Sequence, residues 1–250
     1  MGVQVVGYDS VDGGLLLSDS DGLQYLDLES GVDLEYTLED RHCAGTVHDD
    51  NHIACENPAA PYCPDHSHVW VCARCTGTCL KDEMDCFDDH AIYLAAFAPD
   101  QFKVGVTKLW RLETRLREQG ADRGAHIRTV DDGRIARELE AEIATELTDR
   151  VRVPTKMAGL GRSVDVEAWH ALLAEFDPID TFDFEYGLDL MSQPVDETMA
   201  TGTVRGTKGR ILVLDRGGST YAVDMRELVG YELTARRQRR ELQSSLGSFK

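Results

Sequence analysis

Lysine is nearly missing from this chain: there are six, against 20 arginines, while 27 aspartates and 18 glutamates bring the formal charge of the 250 residues to −19. Also missing is any apolar run of about 18 residues, the least a membrane-spanning helix needs. The opening "MGVQVVGYDS" lacks a basic-then-apolar signal pattern. The expectation is therefore a cytoplasmic protein with no membrane partner. Cysteine is absent outside residues 43–86, which excludes a disulfide framework spread along the chain. A strong negative balance ordinarily argues against nucleic acid, because phosphate binding rests on Lys and Arg displacing counterions. Here the acid is spread along the whole chain. An Asp-rich, Lys-poor surface of that kind stays hydrated in molar salt, where the Debye length is about 3 Å. We read the acidity as halophilic: it reports the solvent and leaves the ligand open.

What is present falls into five stretches. Residues 1–40 alternate in short apolar and polar steps ("GLLLSD", "GLQYLDL", "DLEYTL") and read as an antiparallel β segment. Residues 41–90 are turn-rich and carry all the cysteines. Residues 91–192 read as strand, strand, helix, strand and a long helix "DGRIARELEAEIATEL". Asp132 caps that helix, and Ile135, Leu139, Ile143 and Leu147 stand one turn apart along it. A second helix follows in "SVDVEAWHALLAEF", with Ser163 as cap and Trp169, Leu172, Leu173 and Phe176 as its buried face. Residues 193–236 are β again around a "DRGGS" turn, and 237–250 form a basic, then polar, tail. Each terminal β segment is short for an independent fold, so the two are expected to pair into one small sheet or barrel. The fold class is α+β: a zinc-binding module followed by an α/β domain, with the terminal β segments joined.

The cysteine window has the composition of a metal module. Structural zinc takes four Cys or His ligands, commonly as close pairs separated by a loop. Cys43, Cys55, Cys63 and His66 make one set, and Cys72, Cys75, Cys79 and Cys86 a second, so seven Cys and one His fill eight positions. His90 competes with Cys79 for the second site, and His42, His48, His52 and His68 are spares. Both sites appear saturated with ligands, which favours two structural zinc ions over a catalytic one.

The stretch after this module carries a second pattern. "AIYLAAF" supplies Ile92 and Tyr93, "FKVGVT" supplies Val104, Gly105 and Thr107, "ETRLREQ" supplies Arg115, and "ARELEAEI" supplies Glu140. In order and spacing these resemble the GIY-YIG nuclease superfamily over roughly 55 residues. The resemblance implies DNA or RNA as partner and phosphodiester hydrolysis. It places Tyr93 as general base or nucleophile, Arg115 on the phosphate charge and Glu140 on a Mg²⁺ ion. Gly105 would allow close backbone approach. Two positions depart from the pattern: Ala91 stands for the first glycine and Lys103 for the second tyrosine. Lys103 can bind phosphate as a point charge but does not handle protons as a phenol does. Arg111 is the alternative to Arg115.

The chain as a whole resembles the domain of unknown function 2797 family in an acidic, haloarchaeal form. The carrying phrases are "TLEDRHCAGT", "TGTCLKDEMDC", "KVGVTKLWRLETRLREQGA" and "GTVRGTKGRILVL". The last places Arg205, Lys208 and Arg210 together, as phosphate contacts or as ordinary strand charges. "RVPTKMAGLGR" reads as a basic loop that closes over a ligand or serves as a linker. Two functions follow. One is a zinc-stabilised nucleic-acid-binding protein acting as a Mg²⁺-dependent endonuclease. The other is a catalytically inactive adaptor whose zinc module recruits a protein partner.

Overall fold

Period-two alternation at both ends of the chain produces strands that depend on one another. The computed structural model describes residues 2–67 and 87–235. In chain order, β1 (Val3–Asp9), β2 (Gly14–Asp19), β3 (Gly22–Asp27) and β4 (Asp33–Arg41) come first, followed by a small hairpin of β5 (Thr46–His48) and β6 (Asn51–Ile53). The middle holds β7 (His90–Phe97), β8 (Gln101–Lys108), α1 (Leu112–Glu118), β9 (Arg123–Val130), α2 (Gly133–Ile143), α3 (Val153–Ala158), α4 (Val166–Leu173) and β10 (Asp180–Asp183). Then come β11 (Val195–Asp196), β12 (Ala200–Lys208), β13 (Ile211–Arg216), β14 (Ser219–Asp224), α5 (Met225–Leu228) and β15 (Tyr231–Ala235).

The terminal strands form one sheet in the order β11-β14-β13-β12-β4-β15-β1-β2-β3. β15 lies between β1 and β4, with Leu233 opposite both Val3 and Leu38. Ala200 of β12 pairs with Tyr36. Neither end of the chain can therefore complete its hydrogen bonds without the other. The sheet is larger than the small one expected, and it is open, so the barrel alternative does not form. Its inward residues, among them Leu15, Leu34, Leu212, Leu214 and Val223, are fully buried in one cluster with Met225 and Leu228 of α5. Each contributes about 1.5–3 kcal/mol by leaving water.

The smaller sheet has the order β10-β9-β7-β8 and is antiparallel throughout. Its central strand β7 is apolar on both faces, as a strand covered from two sides must be. Ile92, Leu94 and Ala96 pack with Ala136 of α2 and Trp169 of α4. On the other face Tyr93, Ala95 and Phe97 pack with Leu112 and Leu116 of α1. The outer edge of β8 is closed by Thr148, whose carbonyl accepts from Val104 N at 3.0 Å.

Several local expectations change. α2 stops at Ile143 instead of running through Leu147, and Ile135 is exposed because Ala136, not Ile135, faces the sheet. Asp132 does cap α2, accepting from Arg134 N at 2.7 Å. The cap of α4 is Asp165, which accepts from Ala168 N at 3.0 Å; Ser163 lies too early in the chain to do so. The stretch "RVPTKMAGLGR", read as a loop, contains the helix α3 with a proline in its first turn. Its Met157, and Leu160 just beyond, pack on Ile211 and Val213 of β13. Gly159 lies against the Ala98 carbonyl, where a Cβ would come within 1.9 Å of the oxygen. α3 is thus packed between the two sheets.

Candidate functional site

Two clusters of chemically active side chains stand out among the described residues. The first sits where β4 ends. Cys43, Cys55, Cys63 and His66 bring their ligand atoms within 4.8 Å of one another. His66 Nδ1 is 3.4 Å from Cys43 Sγ and 3.3 Å from Cys63 Sγ. A tetrahedral zinc with Zn–S near 2.3 Å sets its ligand atoms roughly 3.8 Å apart, so this three-thiol, one-imidazole set fits the ion. The backbone is arranged for thiolate. The amides of Cys63 and Gly45 donate to Cys43 Sγ at 3.2 and 3.4 Å. Burial pushes the Cys43 thiol up, but these amides and the neighbouring thiols outweigh it and hold it below its ordinary value.

The positions of the ligands follow from local hydrogen bonds. Cys43 N donates to Asn57 O at 2.8 Å, Ala44 N to Pro61 O at 2.9 Å, and His66 N turns back to Cys63 O at 3.0 Å. Gly45 has φ +63, and a Cβ there would lie 2.0 Å from Ile53 O, so only glycine fits. Of the spare histidines, His42 and His52 are bracing groups. His42 Nδ1 contacts Cys55 O at 2.9 Å and His42 Nε2 contacts Glu232 at 3.3 Å, while His52 bridges Ser18 and Ala44 O, both at 2.8 Å. His48 is exposed beside Asp49. The cluster is thereby tied to the nine-stranded sheet. Cys72, Cys75, Cys79, Cys86 and His68 lie outside the described residues. His90, the alternative ligand, opens β7 with its Nδ1 2.6 Å from Asp88 O.

The second cluster lies on the Tyr93 face of the smaller sheet. Tyr93 and Gly105 are direct partners across β7 and β8. A Cβ on Gly105 would sit 2.5 Å from the Tyr93 ring and hydroxyl, so the missing side chain is what lets the ring lie across β8. Gln119, just past α1, donates to the Tyr93 hydroxyl at 2.7 Å. Tyr93 is 2% exposed, and burial keeps it a neutral phenol against the opposing pull of Arg115 and Gln119.

Lys103 lies on the same face, with Nζ 5.9 Å from the Tyr93 ring centroid, donating to Asp149 O at 2.9 Å. Burial, and then the charge of Arg115, push its ammonium down to about 8. Arg115 reaches the site from α1 while pairing with Glu118 at 2.9 Å. Of the two arginines considered from sequence, it is Arg115 whose charge bears on Tyr93; Arg111 holds Glu118 at 2.6 Å. Glu140 is well covered, pairs with Arg137 at 2.6 Å, and its charge acts on both Tyr93 and Lys103. One carboxylate plus substrate phosphate is an ordinary Mg²⁺ donor set, although here Arg137 already engages one Glu140 oxygen. Four elements thus bring Tyr93, Lys103, Gly105, Arg115 and Glu140 to one place.

The strand charges of "RGTKGRIL" find carboxylates: Arg205 with Asp215 at 3.2 Å, Lys208 with Asp122 at 2.5 Å, and Arg210 with Asp224 at 2.6 Å. Lys208 and Asp122 also line a cavity of about 240 Å³ with Ser163 and Tyr186, small for a ligand site. The residue that sequence reasoning missed is Lys156 on α3. Its Nζ donates to Gln119 O at 2.7 Å, which places it two hydrogen bonds from the Tyr93 hydroxyl. Its signal was available, since it is one of only six lysines.

A family model described as "Protein of unknown function (DUF2797)" matches residues 54–233. The chain belongs to this family. The DUF2797 match takes in Cys55, Cys63 and His66 and the whole Tyr93 cluster. No curated protein and no solved structure matches the chain. No helix among the described residues is long and apolar enough to cross a membrane.

Proposed function

We propose that this DUF2797 protein binds DNA or RNA through a GIY-YIG-like site on the Tyr93 face and hydrolyses phosphodiesters there, with zinc bracing the fold. The observation that carries the reading is the convergence of a buried phenol, a lysine, an arginine and a carboxylate around Gly105. Arg115 neutralises phosphoryl charge. Tyr93, a neutral phenol held by Gln119, orients the attacking water. Lys103, poised near 8, can exchange a proton near neutral pH and so supplies the proton handling that the family's second tyrosine would give. Glu140 would hold Mg²⁺, which polarises a phosphoryl oxygen when bound.

The Arg137–Glu140 pair and the lysine at position 103 favour a second reading, a site that binds nucleic acid without cutting it. One experiment separates the two. Zinc-loaded protein is incubated in high salt with Mg²⁺ or Mn²⁺ and mixed DNA and RNA, beside Tyr93→Phe and Glu140→Ala. Cleavage that both variants lose by about 100-fold or more supports the nuclease. Wild-type cleavage no greater than that of the variants on any substrate leaves the binding reading.

We further read the second ligand set, Cys72, Cys75 and Cys86 closed by Cys79 or His90, as a second zinc site. Elemental analysis should then find two zinc ions per chain, and a value near one would remove it.

A further inference from the structure

Lys103, Lys156 and Lys208, half of the lysines in the chain, come to the seam between the two sheets. Lys208 has its carboxylate there in Asp122, at 2.5 Å. Lys103 and Lys156 have none within ion-pair distance among the described residues. Each makes one hydrogen bond, to Asp149 O at 2.9 Å and Gln119 O at 2.7 Å. An ammonium has three donors, so two on each meet no acceptor among the described residues. Nearby, in the turn between β12 and β13, Arg210 Nε is buried and meets no acceptor among the described residues. Acids are in large excess in this chain, 45 against 26 basic residues. That these largely buried lysines have no carboxylate at ion-pair distance among the described residues is therefore not the result of a shortage of acids.

The placement is rigid. Lys156 Nζ stands 4.3 Å from the Phe97 ring centroid and Lys103 Nζ 5.9 Å from that of Tyr93. Phe97 and Tyr93 lie four residues apart on one face of β7. Gly159 against Ala98, and Met157 against β13, hold α3 so that Lys156 cannot swing away with a loop. Burial, then the charges of Lys103, Arg210, Arg115 and Lys208, push the Lys156 ammonium down to about 7. Mutual repulsion of this kind is relieved by an anion placed among the cations.

We propose that Lys103 and Lys156 form a phosphate-binding subsite adjoining Arg115 on the Tyr93 face. The subsite rests on the nucleic-acid reading and deepens it. Arg115 and Glu140 would address one phosphate, and α3 adds a contact to a second, neighbouring phosphate of the same strand. A free phosphate or mononucleotide offers the same chemistry, so the test must tell the sources apart.

Binding of inorganic phosphate, a 5′-mononucleotide and a single-stranded oligonucleotide is measured by calorimetry at several chloride concentrations. The proteins compared are wild type, Lys156→Met, Lys156→Arg and the control Lys108→Met, whose lysine pairs with Asp88 elsewhere. Circular dichroism checks that each is folded. We expect Lys156→Met to weaken phosphate and oligonucleotide binding about tenfold or more, with Lys156→Arg within about threefold of wild type and Lys108→Met unchanged. The slope of log K against log salt for the oligonucleotide should fall by about 0.7 in Lys156→Met, the loss of one contact to single-stranded phosphate. A purely structural role would leave that slope alone. If phosphate and mononucleotide bind through Lys156 but the oligonucleotide does not, the subsite stands and the nucleic-acid reading falls. If the oligonucleotide binds folded Lys156→Met with wild-type affinity and slope, the subsite is overturned and the nucleic-acid reading stands. Absence of phosphate binding to wild type at millimolar concentration also overturns the subsite.

Discussion

The Cys43 cluster and the Tyr93 cluster are both buried groups of reactive side chains, and they are organised in opposite ways. Around Cys43 the donors and acceptors answer one another: amides point at sulfur, His42 and His52 tie the loop to the larger sheet, and four ligands leave a metal no open position. Beside Tyr93, among the described residues, Lys103 and Lys156 each have a carbonyl acceptor but no carboxylate at ion-pair distance, and near Lys156 the buried Arg210 Nε has no acceptor. A saturated cluster lowers the free energy of the folded chain by itself. An unsaturated one raises it until something binds, which is the ordinary stability cost of a functional site. On the function proposed above, the first cluster braces the fold and the second binds.

The largest effect should come from breaking the saturated cluster. Cys43→Ala removes a buried ligand and should lower the zinc content by one ion per chain. We expect the melting temperature to fall by about 10 °C, consistent with a loss of several kcal/mol in a domain of this size. Metal analysis and thermal denaturation measure the two effects.

The sharpest comparison is between lysines. Lys208→Met strands the Asp122 carboxylate at the seam and should destabilise by about 3 kcal/mol in urea denaturation. Lys156→Met removes an unpaired cation and should stabilise the empty protein at pH 7. The folded state depresses Lys156 from 10.5 to about 7. Below pH 7 both folded and unfolded chains are protonated and the full cost of the charge is present. Between pH 7 and 10.5 the unfolded chain holds more protons, so stability rises with pH and the cost is relieved. The gain from Lys156→Met should therefore be greatest below pH 7, shrink as pH rises and vanish above about 10.5. A gain independent of pH would contradict the electrostatic account.

Gly105→Ala should cost about 1–3 kcal/mol, because its Cβ meets the Tyr93 ring at 2.5 Å. The same urea titration reads it, and the zinc content should not change. Asp132→Ala, which uncaps the helix carrying Glu140, should cost about 1 kcal/mol and leave the Cys43 cluster untouched.

The Cys43, Cys55, Cys63 and His66 cluster, which could hold a metal ion such as zinc, was legible in the sequence because thiol chemistry is rare and local: the four lie within 24 residues. The Asp132 cap and the Trp169 face were legible for the same reason of short range. The Asp165 cap was missed because Ser163 is also a good cap and only backbone geometry chooses between them. Ile135 was misplaced because the helical stripe passes next to Ala136, and the small residue is the one that fits against the sheet. α3 was missed because its proline and flanking glycine read as loop signals; packing on Ile211 and Val213 stabilises six residues that would not be helical alone.

Some properties of this protein were settled by the sequence itself. The acidic, lysine-poor composition, the cysteine window and the succession β7, β8, α1, β9 and α2 follow from residue chemistry and short-range periodicity. Other properties only the tertiary structure decided. The interleaving of β15 between β1 and β4 joins residues at least 190 positions apart, and no local pattern encodes that pairing. The same is true of Lys156. Its meaning depends on which charges surround it, and those come from β8, α1, β12 and the turn after β12 only after the chain has closed the two sheets around α3.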